Sequence, residues 1–320
     1  MQNDFRARLT RGIELRELLL LVLIALVIIV MSFASPFFLS LSNFRAMAAG
    51  LVPTGIIVVG MTYLLVCGGF DLSVGSVLAL ASTICAYLLT LGWGIPEAVV
   101  ATLVVGAVFG VANGLLVTGL GINPLIATLG SMSVARGIAL IMTEGFSLSK
   151  LPKSFGLAGN SEVLGMPLIV WIMLLVVVVG DIGLRRTTYF RQVYFIGNNE
   201  QAARLSGINV SAVRVTTYAL AGVLAALAGV LLASRLMSGT PTAGNGLELQ
   251  VLAAAVIGGA SLKGGEGTVF GAFLGAVFMA LVNNAMTMLA VSIYWQMLVT
   301  GVILVAAVGI DMIGRRRRAA

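Results

Sequence analysis

The sequence is divided by long runs that carry no charged residue: 18–44, 46–70, 72–96, 98–135, 163–180, 215–234 and 268–310. About 20 apolar residues, each rising about 1.5 Å, cross a hydrocarbon core of about 30 Å, so each run is close to or beyond the length of a membrane-spanning helix. Composition points the same way: 59% of the 320 residues are hydrophobic and 10% charged, against about 25% charged in a soluble domain. Two runs are too long for one span. Gly119-Leu120-Gly121-Ile122-Asn123-Pro124 divides the first of them, since glycine and proline interrupt helices, and a turn near Ser292 divides the second. A shorter apolar run at 249–262 adds a further candidate. The spacing predicts ten transmembrane helices, near 17–38, 44–67, 72–91, 96–118, 124–143, 166–184, 212–234, 247–262, 268–290 and 294–312. The expected fold is an all-α integral membrane protein with one transmembrane domain over 1–320. Long regular runs joined by short loops argue against a β-barrel. The first run is longer than a signal-peptide core and lacks a small-residue cleavage pattern after it, so it is read as a retained helix.

Short cytoplasmic loops are enriched in Lys and Arg, which gives an independent check on ten passes. Arg6, Arg8, Arg11 and Arg16 precede the first span, Arg185, Arg186, Arg191, Arg204 and Arg214 follow the sixth, Lys263 follows the eighth, and the arginines at 315–318 follow the tenth. With both termini cytoplasmic, all of these fall on one face, leaving Arg45, Lys150, Lys153 and Arg235 on the other and Arg136 within the fifth span. The same reading divides the chain into a cytoplasmic segment 1–16, a cytoplasmic loop 185–211 and a basic tail 313–320 attracted to anionic lipid. The net charge of +7 therefore reports topology, not nucleic acid. With no histidine and only Cys67 and Cys85, both in apolar surroundings, zinc sites, His-based catalysis and a disulfide framework have no support. The chain is not expected to be an enzyme.

Ionisable groups inside a membrane are costly and are functional candidates by default. Asp71, Arg136 and Asp181 are the ionisable ones, with Asn113, Asn123, Gln250, Asn283, Asn284 and Gln296 as uncharged polar company. Asp181 lies one turn before Arg185, which suits a local ion pair, and Glu248 and Arg235 are assigned to the outer loop region. Asp71 sits in Gly68-Gly69-Phe70-Asp71-Leu72-Ser73-Val74-Gly75-Ser76, a break between two apolar runs. Asp71 or Ser73 can cap the following helix, and direct solute contact is the other reading. A second glycine-rich break runs from Gly258 to Gly267, and the form Gly-Gly-x-x-Leu-x-x-Gly fits both breaks. Neither has the Gly-Lys-Ser/Thr of a phosphate-binding loop. Small residues recur four apart at Gly106, Gly110 and Gly114, at Ala225, Gly229 and Ala233, and at Gly267, Gly271 and Gly275. That period gives helix faces suited to close packing or to sliding.

The loop 185–211 contains Gly197-Asn198-Asn199-Glu200-Gln201-Ala202-Ala203-Arg204-Leu205-Ser206-Gly207-Ile208. Asn198 followed by Gln201 fits a capping box and Gly207 suits a left-handed stop, so a helix of about two turns is expected at 198–206. A helix that short is marginal alone in water. It invites a docking partner, with Ala202 and Ala203 pressed into a groove and Glu200 and Arg204 at the rim.

These two segments, with Leu252-Ala253-Ala254-Ala255-Val256-Ile257-Gly258-Gly259-Ala260-Ser261-Leu262-Lys263-Gly264-Gly265-Glu266-Gly267, together resemble the permease subunits of bacterial ribose-type sugar ABC importers. The likeness runs through nearly the whole chain in the right order. One departure is Phe70 where the family often has Ile, a conservative change. The resemblance implies an inner-membrane permease that translocates a sugar or sugar-like solute of the pentose, hexose, polyol or autoinducer-2 type. It implies three kinds of partner: a second permease chain, identical or related; a cytoplasmic ATP-binding subunit that holds ATP and Mg, leaving no cofactor on this chain; and a periplasmic sugar-binding protein. Gly197, Asn198, Asn199, Glu200, Gln201, Ala202, Ala203, Arg204, Leu205 and Gly207 would then form the coupling helix and its flanks. Asp71, Ser73, Asn113, Asn123, Arg136, Asn283 and Asn284 are the pathway or gate candidates. An ion-coupled secondary transporter with Asp71 and Arg136 as its coupling pair is the alternative, and a scaffold without a pathway is a third reading.

Overall fold

A computed structural model of the chain describes residues 15–319, with side chains described over 17–309. Thirteen α-helices account for most of the described residues. Seven of these are long and apolar enough to cross a membrane: α1 (Leu15–Ala34), α2 (Leu41–Val66), α4 (Ile95–Thr118), α5 (Pro124–Thr143), α7 (Leu168–Arg186), α10 (Val210–Leu236) and α12 (Val269–Met288). Three more are α3 (Val74–Thr90), α11 (Leu247–Ile257) and α13 (Ile293–Ala319), whose apolar stretches are shorter. The remaining three are α6 (Gly156–Asn160), α8 (Thr188–Asn198) and α9 (Glu200–Leu205). A two-stranded hairpin, β1 (Glu162–Val163) and β2 (Met166–Pro167), closes through Leu164 and Gly165, both at positive φ.

A helix occupies each of the ten apolar segments, and the differences in length have local causes. α1 stops at Ala34, short of the expected 38, because Pro36 forces the preceding residue out of the helical region. α11 spans 11 residues where 247–262 was expected, ending where Gly258 and then Gly259, at φ 96°, turn the chain. Eleven residues rise only about 16 Å, half a hydrocarbon core. The arginines at 6, 8, 11, 16 and 315–318, on which the orientation argument partly rests, lie outside the described side chains.

α2 is the central pillar: 89% of its apolar window is buried, so over that stretch it meets protein on nearly every side, while its first turns, from Leu41 to Gly50, are partly exposed. α10 packs along α2, α3 and α4. Its approach to α4 uses the glycine period seen in the sequence. A Cβ at Gly106, Gly110 or Gly114 would run into backbone of α10 at Gly222, Ala219 and Val215 respectively. Gly229, within the second small-residue period, lies against the Leu78 carbonyl of α3. The third period is shorter than expected, because Gly267 precedes the cap Thr268 and only Gly271 and Gly275 lie in α12, where they face α11. The outward faces of α1, α4 and α7 are apolar, as at Leu19, Val104 and Val179, which suits contact with lipid.

Candidate functional site

The break between α2 and α3 is held by buried polar contacts. Oδ1 of Asp71 accepts the Ser73 amide at 2.7 Å and the Ser73 hydroxyl at 2.6 Å, and Oδ2 accepts Nδ2 of Asn113 at 3.2 Å. Nδ2 of Asn113 also reaches Oγ of Ser73 at 3.0 Å, and the Ser131 hydroxyl donates to Oδ1 of Asn113. Asp71, Ser73 and Asn113 are all 1% exposed or less. A carboxylate withdrawn from water is tolerable only when its acceptor sites are filled; here Ser73 at the head of α3 and Asn113 of α4 fill them, and α5 joins the cluster through the bond from Ser131 to Asn113. Asp71 takes the amide of Ser73, the residue at the head of α3; the Ser73 side chain makes no capping bond to the helix. Ser131 and Tyr218 are additions to the sequence reading. The Tyr218 hydroxyl donates to the Phe70 carbonyl at 3.1 Å and ties α10 to the same break.

The three segments that carry the family resemblance meet in space. At the end of α8, the Cα of Gly197 lies where a Cβ would strike the Val66 carbonyl oxygen and the Gly265 nitrogen. A Cβ at Gly264, at φ 91°, would lie 2.9 Å from the Gly197 Cα and 3.0 Å from the Gly68 Cα. Two hydrogen bonds close the contact, from the Gly265 amide to the Val66 carbonyl at 2.8 Å and from the Tyr194 hydroxyl to the Gly267 carbonyl at 2.8 Å. The two glycine breaks and the loop helix are thus in backbone contact, which only residues without side chains permit. A cavity of about 260 Å³ lies beside this junction, lined in part by Gly68, Gly69, Asn123, Arg214 and Tyr218.

The loop itself differs from expectation in three ways. First, α8 fills 188–198, where no helix was expected; it buries Val193 and Ile196. Second, Asn198 is the last residue of α8, so the cap of α9 is Asn199, whose Oδ1 accepts the Ala202 amide at 3.0 Å. Third, Ala203 is 3% exposed within this chain and cannot press into a partner, whereas Leu205 is 91% exposed. Gln201, Ala202, Arg204 and Gly207 are exposed as well, and Gly207 takes the left-handed stop at φ 82°.

Glu200 brackets α9 to α10. Its Oε1 accepts from Nη2 of Arg204 at 2.8 Å and its Oε2 from Nη2 of Arg214 at 2.7 Å. The Arg204 contact, followed by Arg214, holds the Glu200 carboxyl below the usual carboxylate range. A depressed folded value means that the bracket's contribution is complete above the unfolded value of about 4.3 and is lost as pH falls through the lower folded value. Partial exposure keeps that contribution modest. Glu200→Gln is therefore expected to lower transport about two- to fivefold at neutral pH while leaving the chain folded. Wild-type transport by that variant would remove the bracket from the coupling path.

The other candidates divide into separate places. Asn123 caps α5 by accepting the Leu125 amide at 2.9 Å. Asn284 exchanges amide hydrogen bonds with Asn43 at 2.8 and 3.1 Å, joining α12 to α2. Asn283 lies beside it on α12, where its backbone carbonyl accepts the Thr287 hydroxyl at 2.9 Å. Asp181 pairs with Arg185 at 2.8 Å, as the one-turn spacing suggests. Arg136 does not hydrogen-bond to Asp71. Its Nη1 donates to the Pro241 and Ala243 carbonyls at 2.6 and 2.8 Å, and the carboxylate acting on it is Glu248. Glu248 is half-buried against Gly75, in the first turn of α3, and is not a residue of the outer loop. No sequence signal marked that position, because an 11-residue helix beginning inside the bundle reads as an ordinary loop-to-helix boundary.

Comparison with known proteins matches the sequence to a family. Residues 43–308 match the model for the branched-chain amino acid transport system / permease component family. The ribose import permease protein of Bacillus subtilis is 40% identical over 288 residues, covering 89% of each chain. The L-arabinose transport system permease protein of Escherichia coli is 36% identical over 292 residues, covering 91% of this chain and 89% of its own. The xylose transport system permease protein of Escherichia coli is 32% identical, covering 96% and 95%. No solved structure matches the chain. The chain belongs to this permease family, as a multi-pass inner-membrane component of a ribose-type ABC import system and a transport protein without catalysis of its own.

Proposed function

We propose that this chain forms half of the membrane pathway of an ATP-driven importer for a pentose or a similar neutral sugar. The relatives that it matches over most of its length are named for ribose, arabinose and xylose, which supports that substrate class. In this reading the chain crosses the membrane ten times with both termini cytoplasmic. Its basic ends sit at anionic lipid, and a second permease chain, identical or related, completes the pathway. A cytoplasmic ATPase holds ATP and Mg, with no cofactor on the permease, and a periplasmic binding protein delivers the sugar.

The observation that carries the reading is the glycine junction. It joins α8, which leads into α9 through Asn199, to both breaks in the transmembrane bundle by backbone contact at Gly197. Closure of an ATPase around α9 would push on Gly197, and through it on the breaks at 68–71 and 258–267. A neutral polyol needs hydrogen-bonding groups along its path and no buried ion-coupling carboxylate pair. Consistent with this, Asp71 and Arg136 are engaged by different partners.

Leu205 is the contact to test, since a large apolar side chain 91% exposed at the tip of a short helix fits a pocket on another protein. Leu205→Glu is expected to leave the chain in the membrane, to abolish recovery of the ATPase in a mild-detergent pull-down and to reduce ATP-driven uptake of ribose, arabinose or xylose at least tenfold. Normal recovery and uptake would sink the assignment of α9 as the coupling helix. Uptake in liposomes by the chain alone, without ATP, would replace the importer with the ion-coupled carrier.

A further inference from the structure

Between α10 and α11 the chain runs along α3 without forming a helix. Its start is fixed near the end of α3: Gly239 exchanges backbone hydrogen bonds with Leu148 at 2.8 and 2.9 Å, and a Cβ on it would lie 2.5 Å from the Ala86 Cβ. Five residues later Gly244 faces the first turn of α3, where a Cβ would lie 2.7 Å from the Gly75 carbonyl. The segment has therefore descended along α3 from the level of residues 82–86 to that of residue 75, about 12 Å of helix rise. α11 then supplies only the remaining half of the crossing. At this depth Arg136, the thirteenth residue of the 20-residue α5, grips the Pro241 and Ala243 carbonyls. Thr242, Asn245 and Gly246 of the same segment are exposed, as is Ser133 on α5, and a Cβ at Gly130, Gly137 or Gly246 would meet nothing within 4 Å.

Hydrocarbon does not tolerate exposed non-helical backbone, which occurs at membrane depth only when covered by protein or lining water. We infer that residues 240–246, with Arg136 and Glu248, form the wall of a water-filled solute pathway, and that the hydroxyl groups of a neutral polyhydroxy solute hydrogen-bond to Asn245, Glu248 and the backbone of this segment. The assignment rests on the importer reading above for the identity of the solute. Nη1 of Arg136 anchors the segment, and Glu248 lies within electrostatic reach of the guanidinium. Glu248 can accept hydrogen bonds from solute hydroxyl groups without a bound cation, and Gly130, Gly137 and Gly246 border open space.

The test is solvent access in the assembled transporter. In a background with Cys67→Ala and Cys85→Ala, a single Asn245→Cys is treated with a charged, membrane-impermeant methanethiosulfonate added to either face of membrane vesicles. Val104→Cys on the outward face of α4, 56% exposed, is the lipid-facing control. Modification at least tenfold faster than at position 104, with at least a tenfold loss of uptake once modified, is expected. Modification no faster than the control would overturn the proposal in favour of lipid. A disulfide between two copies in place of modification would overturn it in favour of a subunit contact, and modification without loss of uptake would take the segment off the pathway. Uptake by the unmodified background tests the importer reading separately: rapid modification of a chain that carries no sugar with ATP would leave the water-lined wall standing and remove the sugar.

Discussion

Valine at position 197 is expected to abolish transport, with at least tenfold less solute accumulated in the presence of ATP, while the chain still reaches the membrane. The reason is steric and local. A Cβ at this position overlaps backbone atoms of residues 66 and 265, and backbone cannot rotate away as a flexible side chain can. The end of α8 must then lift off both glycine breaks, and the bond from the Gly265 amide to the Val66 carbonyl beside it is strained or lost. The bundle should survive, because α2 and α10 are packed mainly against each other and against α3, α4 and α12, although Val66 and Ile196 of the same core flank the junction. Gly207→Ala is the matching control. Gly207 has φ 82° with nothing within 4 Å of the added carbon, so it carries only left-handed strain of about 1–2 kcal/mol and should keep uptake within about twofold. Uptake and membrane abundance measured side by side decide the point. If the valine variant accumulates solute like the wild type, the junction transmits nothing, and the force from the ATPase must enter the bundle elsewhere.

The junction also marks the limit of what the sequence discloses. Charge-free runs locate each apolar helix, because the need to span hydrocarbon acts on every residue of a run at once. The breaks at 68–76 and 258–267 are equally visible, since glycine clusters interrupt otherwise apolar stretches. Their meeting with Gly197 is not visible, because it joins positions more than sixty residues apart and depends on absent side chains, which leave no complementary pattern. The loop helix is visible in outline and misread in detail. Asn198 and Asn199 are equivalent as capping residues on paper, and α8 ends where the backbone contact at Gly197 requires, which makes Asn199 the cap. Ala203 looks like a docking surface until Val210 and Val213 of α10 appear with it in the buried core. From sequence, Glu248 reads as a residue of the outer loop region. Its depth follows from the descent of 240–246, and that descent is fixed by Arg136 in another helix.

The second large effect concerns the polar knot around Asp71, where proton counting predicts the outcome of exchanging two residues. As it stands, Asp71 accepts from Ser73 and from Asn113, and Asn113 accepts from Ser131. Asn113→Asp replaces the donor facing Asp71 with a second carboxyl in a site closed to water. Two carboxylates there repel, so one must be protonated or the helices must part. Transport is expected to fall at least tenfold, with a lower melting temperature in detergent. Asp71→Asn is milder, because the Asn113 amide can rotate to offer its oxygen to residue 71 and its nitrogen to the Ser131 hydroxyl, restoring a donor for every acceptor. Combining Asp71→Asn with Asn113→Asp gives back one acid and one amide with their places exchanged. The new amide donates to the new carboxylate, Ser73 still donates to residue 71, and Ser131 still donates to residue 113. The double variant should recover at least half of the uptake that Asn113→Asp loses, the signature of a direct pair and not of two independent sites. Asp71→Ala leaves the Ser73 amide without its buried acceptor, at a cost of about 1–3 kcal/mol, and no change at position 113 should rescue it. Failure of the exchange to restore uptake, with Asp71→Asn alone inactive, would mean that the negative charge itself is needed at position 71. Asp71 would then move from a clamp on the helix break to a group that acts directly on the solute.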